Sequence, residues 1–228
     1  MITPIDVHAR HLLWLLPVHA TLLGLSTLTH QPDPTTDFAG YADYVTTDLF
    51  LVSHLGASIL GAGLGAVGAV AVLLHLALDG RRPSGLLGTS LFVVGNVLLT
   101  AVFAAAAFAQ PAIGRAHQAG VEEIVAVDRD VYGAPLLATA ATGLLLFTGG
   151  AVLLGRALSR RPGLRLAGRV YATAVPAFAL AGFTVQAMQP VAGFVAAAAA
   201  VVVAVRLPRS GPELQLGSGE PARARTTS

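Results

Sequence analysis

Six runs of apolar residues dominate this chain, and each approaches or exceeds the roughly 20 residues that carry a helix across a bilayer. They are Leu12–Leu28, Phe50–Leu78, Leu86–Ala109, Ala134–Leu154, Val170–Met188 and Val191–Val205. The second is longer than a crossing needs, so its first residues belong to the interface. The sixth is short and follows a tight turn at Gln189-Pro190. Lipid offers the backbone no hydrogen-bond partner, so every run has to be helical. Composition points the same way. Hydrophobic residues make up 54% of the chain and charged residues 11%, against about 25% charged in an ordinary soluble domain. The expected fold is all-α: a polytopic membrane helical bundle with six transmembrane helices over residues 1–206. Residues 207–228, rich in Pro, Gly, Ser and Arg, read as a disordered cytoplasmic tail.

Arginine sets the orientation. With the N-terminus inside, the inner segments hold Arg10, Arg81, Arg82, Arg156, Arg160, Arg161, Arg165, Arg169, Arg206, Arg209, Arg223 and Arg225, while the outer segments hold only Arg115 and Arg129. Eight of the 12 acids lie outside: Asp33, Asp37, Asp43, Asp48, Glu122, Glu123, Asp128 and Asp130. A multi-pass cell (inner) membrane protein with both termini cytoplasmic is the expectation. The first run has one flanking Arg and no small-x-small site after it, so it reads as an uncleaved helix.

Several chemistries are excluded by residues that never occur. There is no Cys, hence no disulfide, thiolate nucleophile or iron–sulfur cluster. There is no Lys, hence no Schiff base and no phosphate-loop lysine. The net charge of +2 argues little for a nucleic-acid partner. No acid lies inside a run, which disfavours a carboxylate proton relay or an intramembrane Asp-rich motif.

The chain also resembles itself. Ala39–Asp48 aligns with Ala119–Asp128 at an offset of 80 residues, and Ala71–Leu74 with Ala151–Leu154 at the same offset. Arg81-Arg82-Pro83 aligns with Arg160-Arg161-Pro162 at 79, and Gln31-Pro32, Gln110-Pro111 and Gln189-Pro190 recur at 79. The expectation is a tandem two-helix repeat with units of about 31–109 and 110–188, related by an axis along the membrane normal. Polar positions present in one unit only then need a separate reason.

His54 is such a position, since its counterpart is Ala134. At helical spacing it shares a face with Ser58, Gly61, Gly65, Gly68 and Val72, which turns it toward the bundle. It reads either as a ligand, proton carrier or substrate contact, or as a histidine that bonds a neighbouring helix. His19, two residues after Pro17, carries the same pair of readings. His54, His19, Asp48 and Asp128 are the catalytic candidates. Asn96, opposite Val175 in the repeat, is a ligand-binding candidate with Gln110 and Gln186, and interhelical hydrogen bonding is its simpler role. Gln110 and Gln189 recur with the repeat and read first as caps or turn formers. Tyr41, Asp43, Arg115, His117, Glu123, Asp130 and Tyr132 lie above these groups, as the rim of an outward polar pocket or as a structural lid. His8 and His11 read as a solvated start, His75 as a side chain reaching the interface, and no metal site is expected.

Three functions fit. The first is an accessory or binding membrane protein with an outward-facing polar pocket. The second is a membrane-embedded enzyme acting on an isoprenoid or lipid-like substrate, with His54 and His19 as acid–base groups. The third is a b-type haem or quinone redox protein with His19 and His54 as axial ligands. Haem is the cofactor the sequence raises, weakened because the repeat does not duplicate its histidines.

Overall fold

A computed structural model of the chain describes residues 10–77 and 83–209. His8, the Arg81-Arg82 pair of the first Arg-Arg-Pro turn and the tail from residue 210 lie outside the described residues. All regular structure among the described residues is helical. Helix α1 is Leu15–Ser26, α2 is Phe38–Val45, α3 runs over Asp48–Ala77, α4 is Pro83–Gln118, α5 is Ile124–Val131, α6 is Ala134–Ser159, α7 is Arg165–Thr184 and α8 is Gln189–Arg206.

Among the described residues, five helical segments are long and apolar enough to cross a membrane: Asp48–Ala77, Pro83–Gln118, Ile124–Ser159, Arg165–Thr184 and Gln186–Arg206. The first apolar run does not make a sixth of that length. Its helix has 12 residues, about 18 Å at 1.5 Å per residue. Pro17 is the reason. It has no N–H to donate to the Leu13 carbonyl, and its ring crowds that carbonyl. The chain answers with a turn at Leu13 and Trp14, where Leu16 N bonds Leu13 O at 3.3 Å.

The six long-axis helices form a closed ring in chain order. α1 packs on α3, α3 on α4, α4 on α6, α6 on α7, α7 on α8, and α8 returns to α1. Lipid is as apolar as a leucine side chain, so such contacts depend on close packing rather than on burial from water. Small residues supply it. A Cβ on Gly95 would overlap the Phe147 backbone, and one on Gly150 the Phe92 backbone, so α4 and α6 touch main chain to main chain. Gly155 and Gly168 do the same for α6 and α7, and Gly24 and Gly193 for α1 and α8.

The two ends differ. Arg10, Arg156, Arg160, Arg161, Arg165, Arg169 and Arg206 stand at helix ends on one side. Leu13, Leu16, Val72, Leu76, Leu154, Leu158, Leu164, Tyr171 and Val203 fill that half as one core. Arg161 is buried there and donates to the His75 carbonyl at 2.9 Å, tying the α6–α7 turn to α3. His75 is half-buried, its Nδ1–H donating to Ala71 O at 2.9 Å. At the other end α2 and α5 pack on α4, around a second core of Tyr41, Val45, Phe50, Ala106 and Ile113. α4 continues through Pro111 to Gln118. Gln110 is therefore a buried residue within a helix, not the cap or turn former expected of it. The Gln189-Pro190 pair does start a helix after a tight turn, the 3-10 turn Gln186–Met188.

Candidate binding cavity

Between the buried core and the α2–α5 end the ring is not filled. It encloses a cavity of about 620 Å³ lined by residues from all six ring helices. Its walls are mostly apolar: Leu23 of α1, Ala62 of α3, Leu99, Val102 and Phe103 of α4, Leu144 and Phe147 of α6, Phe178 and Ala179 of α7. Its polar atoms come from His19 and Ser26 of α1 and Thr27 just after it, Ser53, His54 and Ser58 of α3, Asn96 of α4 and Gln189 of α8. Among the described residues no charged one lines it.

His54 sits in the cavity wall because of an unusual stretch of α3. Ser53–Leu60 is a π-helix, a form that is rare and recurs at functional sites. Each residue there advances less around the axis than in an α-helix. The face bearing His54 and Ser58 is thus offset from the face bearing Gly61, Gly65 and Gly68, and the single common face expected from regular spacing is broken. The glycines meet α1, at Leu22, His19 and Leu16, while Ser53, His54 and Ser58 line the cavity. The His54 ring lies on Phe50, centroids 4.0 Å apart and planes tilted 34°. Its Nδ1 is 2.9 Å from Phe50 O. A carbonyl only accepts, so Nδ1 carries the proton and Nε2 is left with its lone pair.

His19 lies at the cavity's deep end. Its Nδ1–H donates to Gly61 O at 2.8 Å, and its ring is edge-on to Phe92 and Phe147, at 5.8 and 6.0 Å. Nε2 is buried with no partner among the described residues, an arrangement that costs about 1–3 kcal/mol. Gly65 makes the space, since a Cβ there would run into the imidazole. Asn96 is buried beside it and donates from Nδ2 to Phe92 O at 2.9 Å, so its Oδ1 remains an acceptor.

Three of the seven sequence candidates, His54, His19 and Asn96, share this cavity; the other four do not line it. Asp48 is exposed in the first turn of α3, where a carboxylate complements the helix dipole. Asp128 is buried, but its Oδ1 accepts from the Tyr41 hydroxyl at 2.9 Å. Gln110 is buried against the Tyr132 hydroxyl. Gln186 is exposed in the 3-10 turn. The residue that lines the cavity from this turn is Gln189, whose side chain lies over Gly182. The sequence signal for it was the absent side chain at Gly182.

The expected outer rim is likewise a collar rather than a pocket wall. Asp43 accepts from Gln118 Nε2 at 2.9 Å, the His117 ring packs on Phe38 at 4.8 Å, and Arg115, Glu123 and Asp130 are exposed. Burial, and then the Asp128 carboxylate, push the Tyr41 phenol above its ordinary range. Among the described residues no three His, Asp or Glu side chains gather as a metal set. His19 and His54 do not meet either. His19 is level with Gly61 and Gly65, whereas His54 lies seven residues before Gly61, in the π-helical stretch.

The cavity reaches the surface between α6 and α7, where Leu137 and Phe183 line it yet are 63% and 78% exposed. This fold and cavity define a helical membrane protein. No protein-family model matches the chain, and none of the curated proteins or solved structures compared with it matches either.

Proposed function

We propose that this chain is a multi-pass membrane protein that holds a neutral, lipid-like small molecule in the ring cavity, as a binding or accessory protein. The observation that carries this is the lining: about 620 Å³ walled mostly by apolar side chains and, among the described residues, by no charged one. Ligand sites of this kind are largely apolar, with a few placed polar groups. Access fits the same ligand. The gap rimmed by Leu137 and Phe183 lies on the apolar flank of the bundle, so a lipid would slide in sideways from the bilayer. In this reading α1 completes six crossings with both termini on the arginine-rich, cytoplasmic side of the cell membrane, and the hairpins α3–α4 and α6–α7 are the two copies of the repeat.

The test is lipid analysis of the full chain purified in mild detergent. One neutral lipid class should be enriched over the bulk extract. Ala179→Phe, which fills the cavity from a wall position, should lose it while keeping folded yield. Co-purified lipid that mirrors the bulk membrane overturns the proposal.

The enzyme reading is supported by the same two histidines, but no acid among the described residues lines the cavity beside them. His54 spends its proton on Phe50 O and His19 on Gly61 O, which suits holding a ligand better than shuttling protons.

A further inference from the structure

We infer that the ligand of this cavity is a hydrogen-bond donor, an uncharged lipid-like alcohol, and that His54 Nε2 receives its hydroxyl. The inference rests on the binding reading above and adds the chemical class. The polar atoms whose roles are fixed are acceptors. His54 Nδ1–H is committed to Phe50 O at 2.9 Å, which leaves Nε2 as a lone pair, and the ring is held on Phe50 at 4.0 Å. Asn96 Nδ2 is committed to Phe92 O at 2.9 Å, which leaves Oδ1. His19 Nδ1–H is committed to Gly61 O at 2.8 Å, which leaves Nε2 without a partner. No carboxylate of the described residues lines the space to balance an imidazolium, so the rings are neutral.

A ketone, quinone or ester offers only acceptors and would meet lone pairs at all three places. An alcohol supplies the missing proton. His54 is suited to receive it, because the π-helical stretch also brings the Ser53 and Ser58 hydroxyls to the wall. Hydroxyls elsewhere on the ring helices, such as those of Thr21, Ser26 and Thr100, fold back onto their own helix carbonyls. No such bond takes up Ser53 or Ser58 among the described residues, so either can rotate to serve the bound oxygen. The hydrocarbon body then lies along Leu99, Phe103, Leu144 and Phe178 and leaves through the gap between Leu137 and Phe183.

The experiment uses the full chain in lipid nanodiscs and tritiated geranylgeraniol, displaced by unlabelled geranylgeraniol or by its methyl ether, with protein-free nanodiscs as the blank. The alcohol should bind about tenfold more tightly than the ether, the effect of one hydrogen bond. His54→Phe keeps a ring on Phe50 and removes the acceptor, so it should bind alcohol and ether alike, near the wild-type ether affinity. A measurement on the wild type does not depend on that variant folding. With ¹⁵N-histidine label, the His54 Nε2 resonance should shift on addition of the alcohol and stay in place with the ether. Equal wild-type affinity for the two compounds overturns the donor inference while leaving lipid binding intact. Discrimination that survives in His54→Phe overturns the role of His54. If neither compound binds, the binding reading itself falls, and this inference with it.

Discussion

The Tyr41 hydroxyl donates a 2.9 Å hydrogen bond to Asp128 Oδ1, joining two residues 87 positions apart. It fastens α2 to α5 across the C-terminal part of α4. Tyr41 is 1% exposed, so the bond is shielded from competing water. Removing it with Tyr41→Phe leaves Asp128 buried without its donor, and the expected loss is about 1–3 kcal/mol. A melting temperature in detergent that matches the wild type would show that the two helices are held by packing alone.

The same pair gives a pH dependence. The folded protein raises the Tyr41 pKa above its ordinary value of about 10, so folding favours the neutral phenol. That stabilisation is complete below about pH 10 and is lost as the pH climbs toward the folded value, because the unfolded chain ionises first. The wild type should therefore lose its advantage over Tyr41→Phe as melts are taken from pH 8 to about pH 11. An advantage that stays constant over this interval contradicts the raised phenol.

Gly95→Ala and Gly150→Ala should each cost several kcal/mol or abolish folded yield, because the added methyl meets the backbone of the facing helix. Gly149→Ala is the control. A Cβ there meets nothing within 4 Å, so it should be neutral or stabilise by up to about 1 kcal/mol through helix propensity. Equal behaviour of Gly149→Ala and Gly150→Ala in size-exclusion profiles and melts would mean that α4 and α6 are not in main-chain contact.

The natural chain has no Cys, so single cysteines report the sidedness directly. Thr35→Cys and Asp43→Cys should react with a membrane-impermeant maleimide on intact cells. Arg160→Cys should react only after the membrane is opened. Labelling of Arg160→Cys from outside would invert the orientation.

Haem binding makes a spectral prediction. With His19 and His54 separated by about two turns of α3, added haem should give no bis-histidine low-spin spectrum. A sharp spectrum of that type, lost in His54→Phe, would require the two histidines to come together.

How far the residues alone led differs from place to place. Apolar run length is a direct readout of helices in lipid, and arginine position separates the two ends without reference to packing. Asn96, His19 and His54 were each visible as polar groups in apolar helices that had to face inward. The misplacements arose where local geometry departs from regular spacing. A π-helix leaves no mark in a periodic pattern, so the offset between His54 and Gly61 was not legible. The helix that runs through Pro111 hid the burial of Gln110, because proline reads as a stop. Asp128 looked like a loop acid until Tyr41, 87 positions away, was seen to bond it. The repeat suggested that Gln189 was only a turn former, since its recurrence has a structural explanation, and attention fell on Gln186 instead.

The half of the ring packed by Leu76, Leu154, Leu158 and Tyr171 makes the cavity a cul-de-sac. In the proposed binding role a ligand that enters between Leu137 and Phe183 would leave by the same side. Such a vessel would equilibrate with a single leaflet. Its filling would then follow the abundance of its ligand in that leaflet, as a gauge does.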